Sequence, residues 1–279
     1  MNSVDDFPKW DAHHHLWEYH PATMEWIPDE SIRRDFHLSD WIQTMDAAGI
    51  DRSILVQVHQ TWDETVWMND LSIQTDRIAG VVGWIDLLSH SLHEDLHRLP
   101  PGHRVVGFRH IMQAEPEEWW NQNKVARGIR TLGDAGFSYD VLLTQSQLVW
   151  AERLLPQCGD TRMILDHMAK PMVGQPDRSF WEKSMKKLAE IPNLAVKLSG
   201  FTTEAPGFLW KATEIIPYFD FLLTHFGPDR LMIGSDWPVC LMAASYPEQM
   251  HVVEDWLATL SKGEKKALWY QSANKWYGF

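Results

Sequence analysis

The chain has 279 residues, 44% hydrophobic and 23% charged, the balance of an ordinary globular protein with enough apolar mass for a large core. Its net charge of −13 comes from 38 acidic and 25 basic residues with no Lys/Arg run, so nucleic acid and anionic membrane are poor partners. No stretch approaches the roughly 20 apolar residues of a spanning helix, Met1-Asn-Ser-Val-Asp-Asp-Phe-Pro lacks the regions of a signal peptide, and Cys158 and Cys240 form no CxxC pattern, so a cytoplasmic, reducing location is expected and a disulfide scaffold or thiolate zinc site is not.

The first predicted strand, Trp10–His13, runs straight into histidines in Trp10-Asp11-Ala12-His13-His14-His15. Strand side chains alternate faces, so His13 and His15 point one way and His14 the other. Two imidazoles on one face at a strand's end can hold a metal or polarise a carbonyl. A purification tag would not be embedded between an acidic residue and the apolar pair Leu16-Trp17. Further strand-like runs follow at Ser53–Val58, Ala79–Ile85, Val105–Phe108, Ser138–Leu143, Met163–Leu165, Leu194–Leu198 and Leu231–Ile233, eight in all. Helices are predicted over Leu38–Ala48, Thr65–Thr75, Leu92–Leu99, Val125–Ala135, Ser146–Leu155, Trp181–Glu190 and Ala212–His225, with a C-terminal helical tail around Met250–Tyr277.

Alternation of this kind argues for parallel strands with crossover helices, and eight repeats fit a single-domain (β/α)8 TIM barrel of the α/β class over residues 1–279. An open doubly wound sheet is the alternative, but no glycine-rich dinucleotide turn follows the first strand. The sixteen tryptophans are well above normal usage; most belong in the core, and a few near a site could stack on a ring-shaped ligand.

In a barrel, catalytic groups sit where strands end. Those ends carry His13 and His15, Gln57 and His59, Trp84 and Asp86, Arg109 and His110, Asp166 and His167, Lys197 and Ser199, and Asp236. Asp236 lies in Arg230-Leu-Met-Ile-Gly-Ser-Asp236-Trp237-Pro238, the pattern of a buried strand delivering a carboxylate to its C-terminal edge, although alone it could cap the following segment. His167 likewise ends an apolar strand in Ile164-Leu165-Asp166-His167-Met-Ala-Lys170-Pro171. Gln57, His59 and Asp86 could equally satisfy loop backbone, and Lys197 could pair with a neighbouring carboxylate. Burying such groups without partners would cost roughly 1–3 kcal/mol each.

Seven motifs in order now carry a family resemblance: Asp11-x-His13-x-His15-x-Trp17, Arg34-Asp35-Phe36, Gly80-Val-Val-Gly-Trp84, Gly107-Phe-Arg109-His110, Leu165-Asp166-His167-x-x-Lys170-Pro171, Lys197-Leu-Ser-Gly200 and Gly234-Ser-Asp236-Trp-Pro238. Together they resemble the amidohydrolase superfamily, and within it the amidohydrolase-2 branch that holds sugar lactonases and the pyrone-dicarboxylate lactonase. The resemblance implies a (β/α)8 barrel that hydrolyses cyclic esters and related substrates. Binuclear members carry a lysine at the end of strand four, where this chain has Gly107-Phe108-Arg109-His110, so a binuclear site is not expected. Many mononuclear members carry a histidine at the end of strand five, and Phe137-Ser-Tyr139-Asp140-Val-Leu-Leu has none. His13, His15 and Asp236 could still hold one divalent metal, and zinc accepts this ligand mix. Because the branch includes lactonases that need no metal, the ion is expected to be dispensable.

The resulting expectation is carboxylic ester hydrolysis of a small-molecule lactone. Asp236 is the candidate base, with Trp237 and Trp84 as apolar surface raising its pKa. His13, His15 and His167 polarise the carbonyl. Arg109 and His110 bind substrate hydroxyls or a carboxylate, with Trp26, Arg34, Gln57, Trp84 and Trp237 as further substrate contacts. The loop from Met24-Glu25-Trp26-Ile27 through Arg33-Arg34-Asp35 covers the mouth. A sugar lactone such as L-fucono- or L-rhamnono-lactone leads. An anionic pyrone-type or muconolactone-type substrate would want several arginines, of which Arg109 is clear and Arg33 and Arg34 are candidates. A metal-dependent decarboxylase on the same scaffold and a catalytically dead binding barrel are the remaining alternatives.

Overall fold

The computed structural model describes residues 7–28 and 30–279. The first six residues, where the absence of a signal peptide is read, and Asp29 in the first loop lie outside them. Eight strands form one parallel sheet in sequence order: β1 (Trp10–His14), β2 (Arg52–Val56), β3 (Ile78–Gly83), β4 (Val105–His110), β5 (Ser138–Val141), β6 (Met163–Leu165), β7 (Leu194–Leu198) and β8 (Leu231–Ile233). The sheet curls into the expected (β/α)8 barrel with helices between the strands. Just past β8, the chain meets β1: Asp236 N–H donates to His13 O at 2.8 Å and His15 N–H to Trp237 O at 2.7 Å. Gly234 is required at this seam, because a Cβ there would lie 2.7 Å from His13 Cβ. The same seam places the carboxylate of one end beside the imidazoles of the other.

Most element boundaries fall where the sequence puts them, and the departures have local causes. β2 stops at Val56 rather than Val58 because the Val58 and His59 amides turn to the Glu64 carboxylate, at 3.0 and 2.8 Å, rather than to a neighbouring strand. β4 runs to His110 because Arg109 and His110 stay in register with Asp140 and Val141 of β5. The second helix starts earlier than expected, at Trp62, because Thr61 caps it by accepting Glu64 N–H at 3.2 Å.

The lower barrel interior is apolar. Inward residues Trp10, Ala12, Ile54, Val56, Val82, Ile164, Ala195 and Met232 pack together with Ala273, Trp276 and Tyr277 from the C-terminal helix Ser272–Tyr277. The chain's end therefore closes the barrel floor. Tyr277 reaches highest, its hydroxyl donating to Asp140 Oδ2 at 2.9 Å. Tyr277→Phe is expected to lower unfolding free energy by about 1–2 kcal/mol, since Asp140 loses a buried donor. Urea unfolding checks this; an unchanged midpoint would mean that only the ring contributes.

Candidate active site

Two residues above the apolar layer on β6 and β7, the alternation brings charged side chains inward: Ile164 is followed by Asp166 and Ala195 by Lys197. Lys197 is fully buried and ion-paired to Asp140 and, at 3.0 Å, to Asp166. Arg109 Nη1 holds the other Asp166 oxygen at 3.0 Å, and its Nη2 donates to Gln57 O. Burial works to raise the Asp166 pKa, but Lys197, His13 and Arg109 outweigh it and hold the carboxyl well below its usual range. The suggested carboxylate partner of Lys197 is thus two carboxylates.

Above this layer sits the rim cluster. The register slips between Asp11 and His14, and beyond the slip His13 and His15 face inward while His14 stacks on Trp41 outside, with centroids 4.2 Å apart and planes 12° apart. His13 Nε2 and His15 Nε2 are 3.2 Å apart. Asp236 Oδ1 lies 3.2 Å from His15 Nε2, 3.7 Å from His13 Nε2 and 3.9 Å from His167 Nε2. The four residues named from strand ends as catalytic candidates therefore meet at one oxygen.

His167 is aimed by unusual backbone. His167, Met168, Ala169 and Lys170 all have positive φ, between 48° and 61°. Left-handed L-residues cost roughly 1–2 kcal/mol each, and such strain persists where surrounding structure fixes it. Here Ser199 Oγ holds His167 Nδ1 at 2.9 Å, and Gly200 leaves room that a Cβ, 2.9 Å from His167 Cγ, would take.

The electrostatics correct one expectation. Apolar neighbours were expected to raise the Asp236 pKa, and burial does push that way. In the acid range where this carboxyl titrates, the charge of the His167 and His13 rings, with the His15 contact, outweighs burial and holds it below the usual range, so Asp236 is ionised at neutral pH. Trp237 supplies none of the expected apolar wall, because its ring turns outward and packs between Phe36 and Trp41, at 5.2 and 5.1 Å. Burial lowers the His167 pKa to about 4. Burial and Lys197 also push His13 well below its usual value, so both rings are neutral at pH 7.

The remaining predicted contacts spread around the mouth. Trp84 Nε1 donates to His110 Nδ1 at 3.4 Å, while His110 Nε2 pairs with Glu115 at 2.7 Å and the ring stacks on Trp119. Trp26 is 47% exposed in the β1 loop and meets Trp17 edge-on. Arg34 lies over Phe36 and donates to Asp35 O. Gln57 and Arg109 are interlocked below the rim, Gln57 Nε2 donating to Arg109 O at 3.2 Å. Sequence reasoning singled out neither Asp140 nor Tyr277. A lone acid in the apolar run Ser-Tyr-Asp-Val-Leu-Leu was the signal for Asp140; Tyr277 had none.

The cluster fits a metal ion. His15 Nδ1 bonds Val56 O at 2.7 Å as donor, leaving a lone pair on Nε2 that faces the Asp236 carboxylate at 3.2 Å. Two acceptors meeting this way need a proton or a cation between them. Zinc bonds of about 2.0–2.2 Å in a tetrahedron separate ligand atoms by about 3.3–3.6 Å, close to the 3.2–3.7 Å spread of His13 Nε2, His15 Nε2 and Asp236 Oδ1. Among the described residues a second candidate group joins His13, Asp166 and His167. There the Lys197 ammonium already stands as the cation, 3.0 Å from Asp166 Oδ1, while His13 Nδ1 faces the same oxygen at 3.3 Å and, donating to it, keeps the Nε2 lone pair for the rim.

Barrel, rim chemistry and donor set together define an enzyme of hydrolase type. The chain belongs to the amidohydrolase family, whose profile matches residues 10–279. An L-fucono-1,5-lactonase of Burkholderia multivorans is 35% identical over 284 residues, covering 96% of this chain and 95% of that protein. A second, from Burkholderia ambifaria, is 31% identical over 85% of this chain and 82% of its own length. An amidohydrolase of Burkholderia multivorans solved with bound zinc superposes with a TM-score of 0.93 at 35% identity, over 98% of this chain and 99% of that one. No helix of the described residues is long and apolar enough to cross a membrane.

Proposed function

We propose that this chain opens a sugar lactone, of the L-fucono- or L-rhamnono-lactone type, to its aldonic acid. The observation that carries this reading is the meeting of three imidazoles at the ionised Asp236 on the barrel rim, in a chain similar over nearly its full length to an L-fucono-1,5-lactonase. A lactone is an activated ester, so a weakly basic carboxylate suffices if it is held in place. Asp236 accepts the hydrogen bond of the attacking water and takes its proton. Its depressed pKa makes it a poor base, and proximity offsets that.

His13, His15 and Asp236 would hold a divalent metal, which supplies Lewis-acid polarisation of the carbonyl when bound. The wiring of His15 supports this over the metal-free expectation: Nδ1–H is committed to Val56 O and Nε2 faces the Asp236 carboxylate, an arrangement suited to a lone pair on a metal rather than an N–H on a carbonyl. Dialysis against a chelator is expected to lower turnover on the order of 10²-fold, with zinc restoring it. Full activity in metal-free protein would return the imidazoles to the role of direct donors.

Arginine placement supports an uncharged sugar lactone over a dicarboxylate. Arg109 is committed to Asp166, Arg33 donates to Ile27 O, and Arg34 donates to Asp35 O. That leaves the exposed Arg34, with a single N–H on Asp35 O, as the one of the three whose fork is open, where a dicarboxylate would demand several such groups. Acid release from a panel of aldonolactones, read with a pH indicator, tests the reading. Turnover of sugar lactones is expected, and inertness toward every lactone would overturn it.

A further inference from the structure

The strained turn after β6 delivers a second group besides His167. Lys170 ends that turn, and its Nζ lies 3.4 Å from Glu204 Oε1 on the loop after β7. Both side chains are about a quarter exposed, 24% and 23%, unlike the sealed charges beneath the rim. They stand beside the reacting groups. His167 is three residues before Lys170 on the same turn, and Ser199, which holds the His167 ring, begins the loop that carries Glu204.

The pair does nothing in the hydrolytic chemistry described above. Nor does it look like a solvated surface bridge, which is worth little and gives no reason to hold Lys170 in a left-handed conformation. What it presents at the mouth is an ammonium donor and a carboxylate acceptor side by side. Neighbouring ring hydroxyls need that combination, since each hydroxyl both donates and accepts.

We infer that Lys170 and Glu204 form the polyol-recognition subsite of this barrel, binding vicinal hydroxyls of the lactone ring beside the His167 turn. The inference rests on the lactonase reading and deepens it: the pair selects hydroxylated rings over plain ones. Sites built to hydrogen-bond a substrate hydroxyl reject analogues that lack it, because the site's own polar groups are left unpaired.

The test compares kcat/KM for L-fucono-1,5-lactone with that for δ-valerolactone, which has the same ring size and no hydroxyls. Wild type, Lys170→Met and Glu204→Gln are measured, with thermal unfolding to confirm that each variant is folded. The preference of the wild type for the hydroxylated ring is expected to shrink in either variant by a factor on the order of 10–100. A merely structural role would lower both substrates together and leave the ratio unchanged, which would overturn the inference. A variant that keeps the wild-type ratio and rate would overturn it too. A wild type inert toward these two and toward the whole aldonolactone panel would overturn the proposed function itself, and this inference with it. Activity on δ-valerolactone without preference for the sugar ring would overturn the subsite alone.

Discussion

Asp236→Asn is expected to lower kcat by about 10²–10⁴-fold while leaving the far-ultraviolet circular dichroism spectrum unchanged. The substitution keeps the shape and removes the charge at which the imidazoles of His13, His15 and His167 meet. The backbone should tolerate it, since residue 236 has φ of 60° and asparagine adopts that region more readily than most residues. The hydrogen bond from its amide to His13 O is untouched by the change. Bound zinc should also fall, because one of three ligand atoms loses its negative charge. Unimpaired turnover would remove Asp236 from the mechanism, and retained zinc with lost turnover would separate its two roles.

Lys197→Met should have the largest effect on stability, about 3–5 kcal/mol lost at pH 7. The ammonium is fully buried between Asp140 and Asp166. Its pH dependence has a definite sign. In the wild type the two carboxyls act oppositely: Asp166 is depressed, so its contribution is present above the unfolded value and lost as pH falls, whereas burial raises Asp140 to about 6, so protonation below that value relieves it. Without the lysine, Asp140 keeps only the Tyr277 hydroxyl and rises further while Asp166 keeps Arg109, so the variant gains stability as pH falls through the Asp140 value. The gap between the two proteins should therefore narrow on acidification, as read by urea unfolding at several pH values. Equal stability at pH 7 would contradict an interior held by this ion network.

Much of this was legible in the residues because strand parity is a local rule. His13 and His15 share a face, His14 does not, and the run ending in Gly-Ser-Asp236 delivers its acid to the same edge. The alternation of apolar runs and helix-length segments likewise settles on a barrel. What the sequence hides is who meets whom. Arg109 reads as a strand-end residue open to substrate, yet its partner Asp166 lies 57 residues away and claims the guanidinium. Asp236 reads as an acid among tryptophans, and the expected rise in its pKa fails because three distant imidazoles converge on it. Trp237 follows Asp236 in sequence, but the left-handed backbone at Asp236 turns its ring into the layer under Trp41. Tyr277 is 137 residues from Asp140, and no local pattern tells that the chain's end folds back beneath the site.

The most direct measurement is a crystal structure of the Asp236→Asn variant soaked with an aldonolactone. The ring should lie at the barrel rim, its carbonyl within reach of the His13, His15 and His167 imidazoles and its attacked face toward residue 236. A lactone seated elsewhere, for example in the outer groove lined by Arg34, Asp40, Trp237 and Tyr246, would contradict the account.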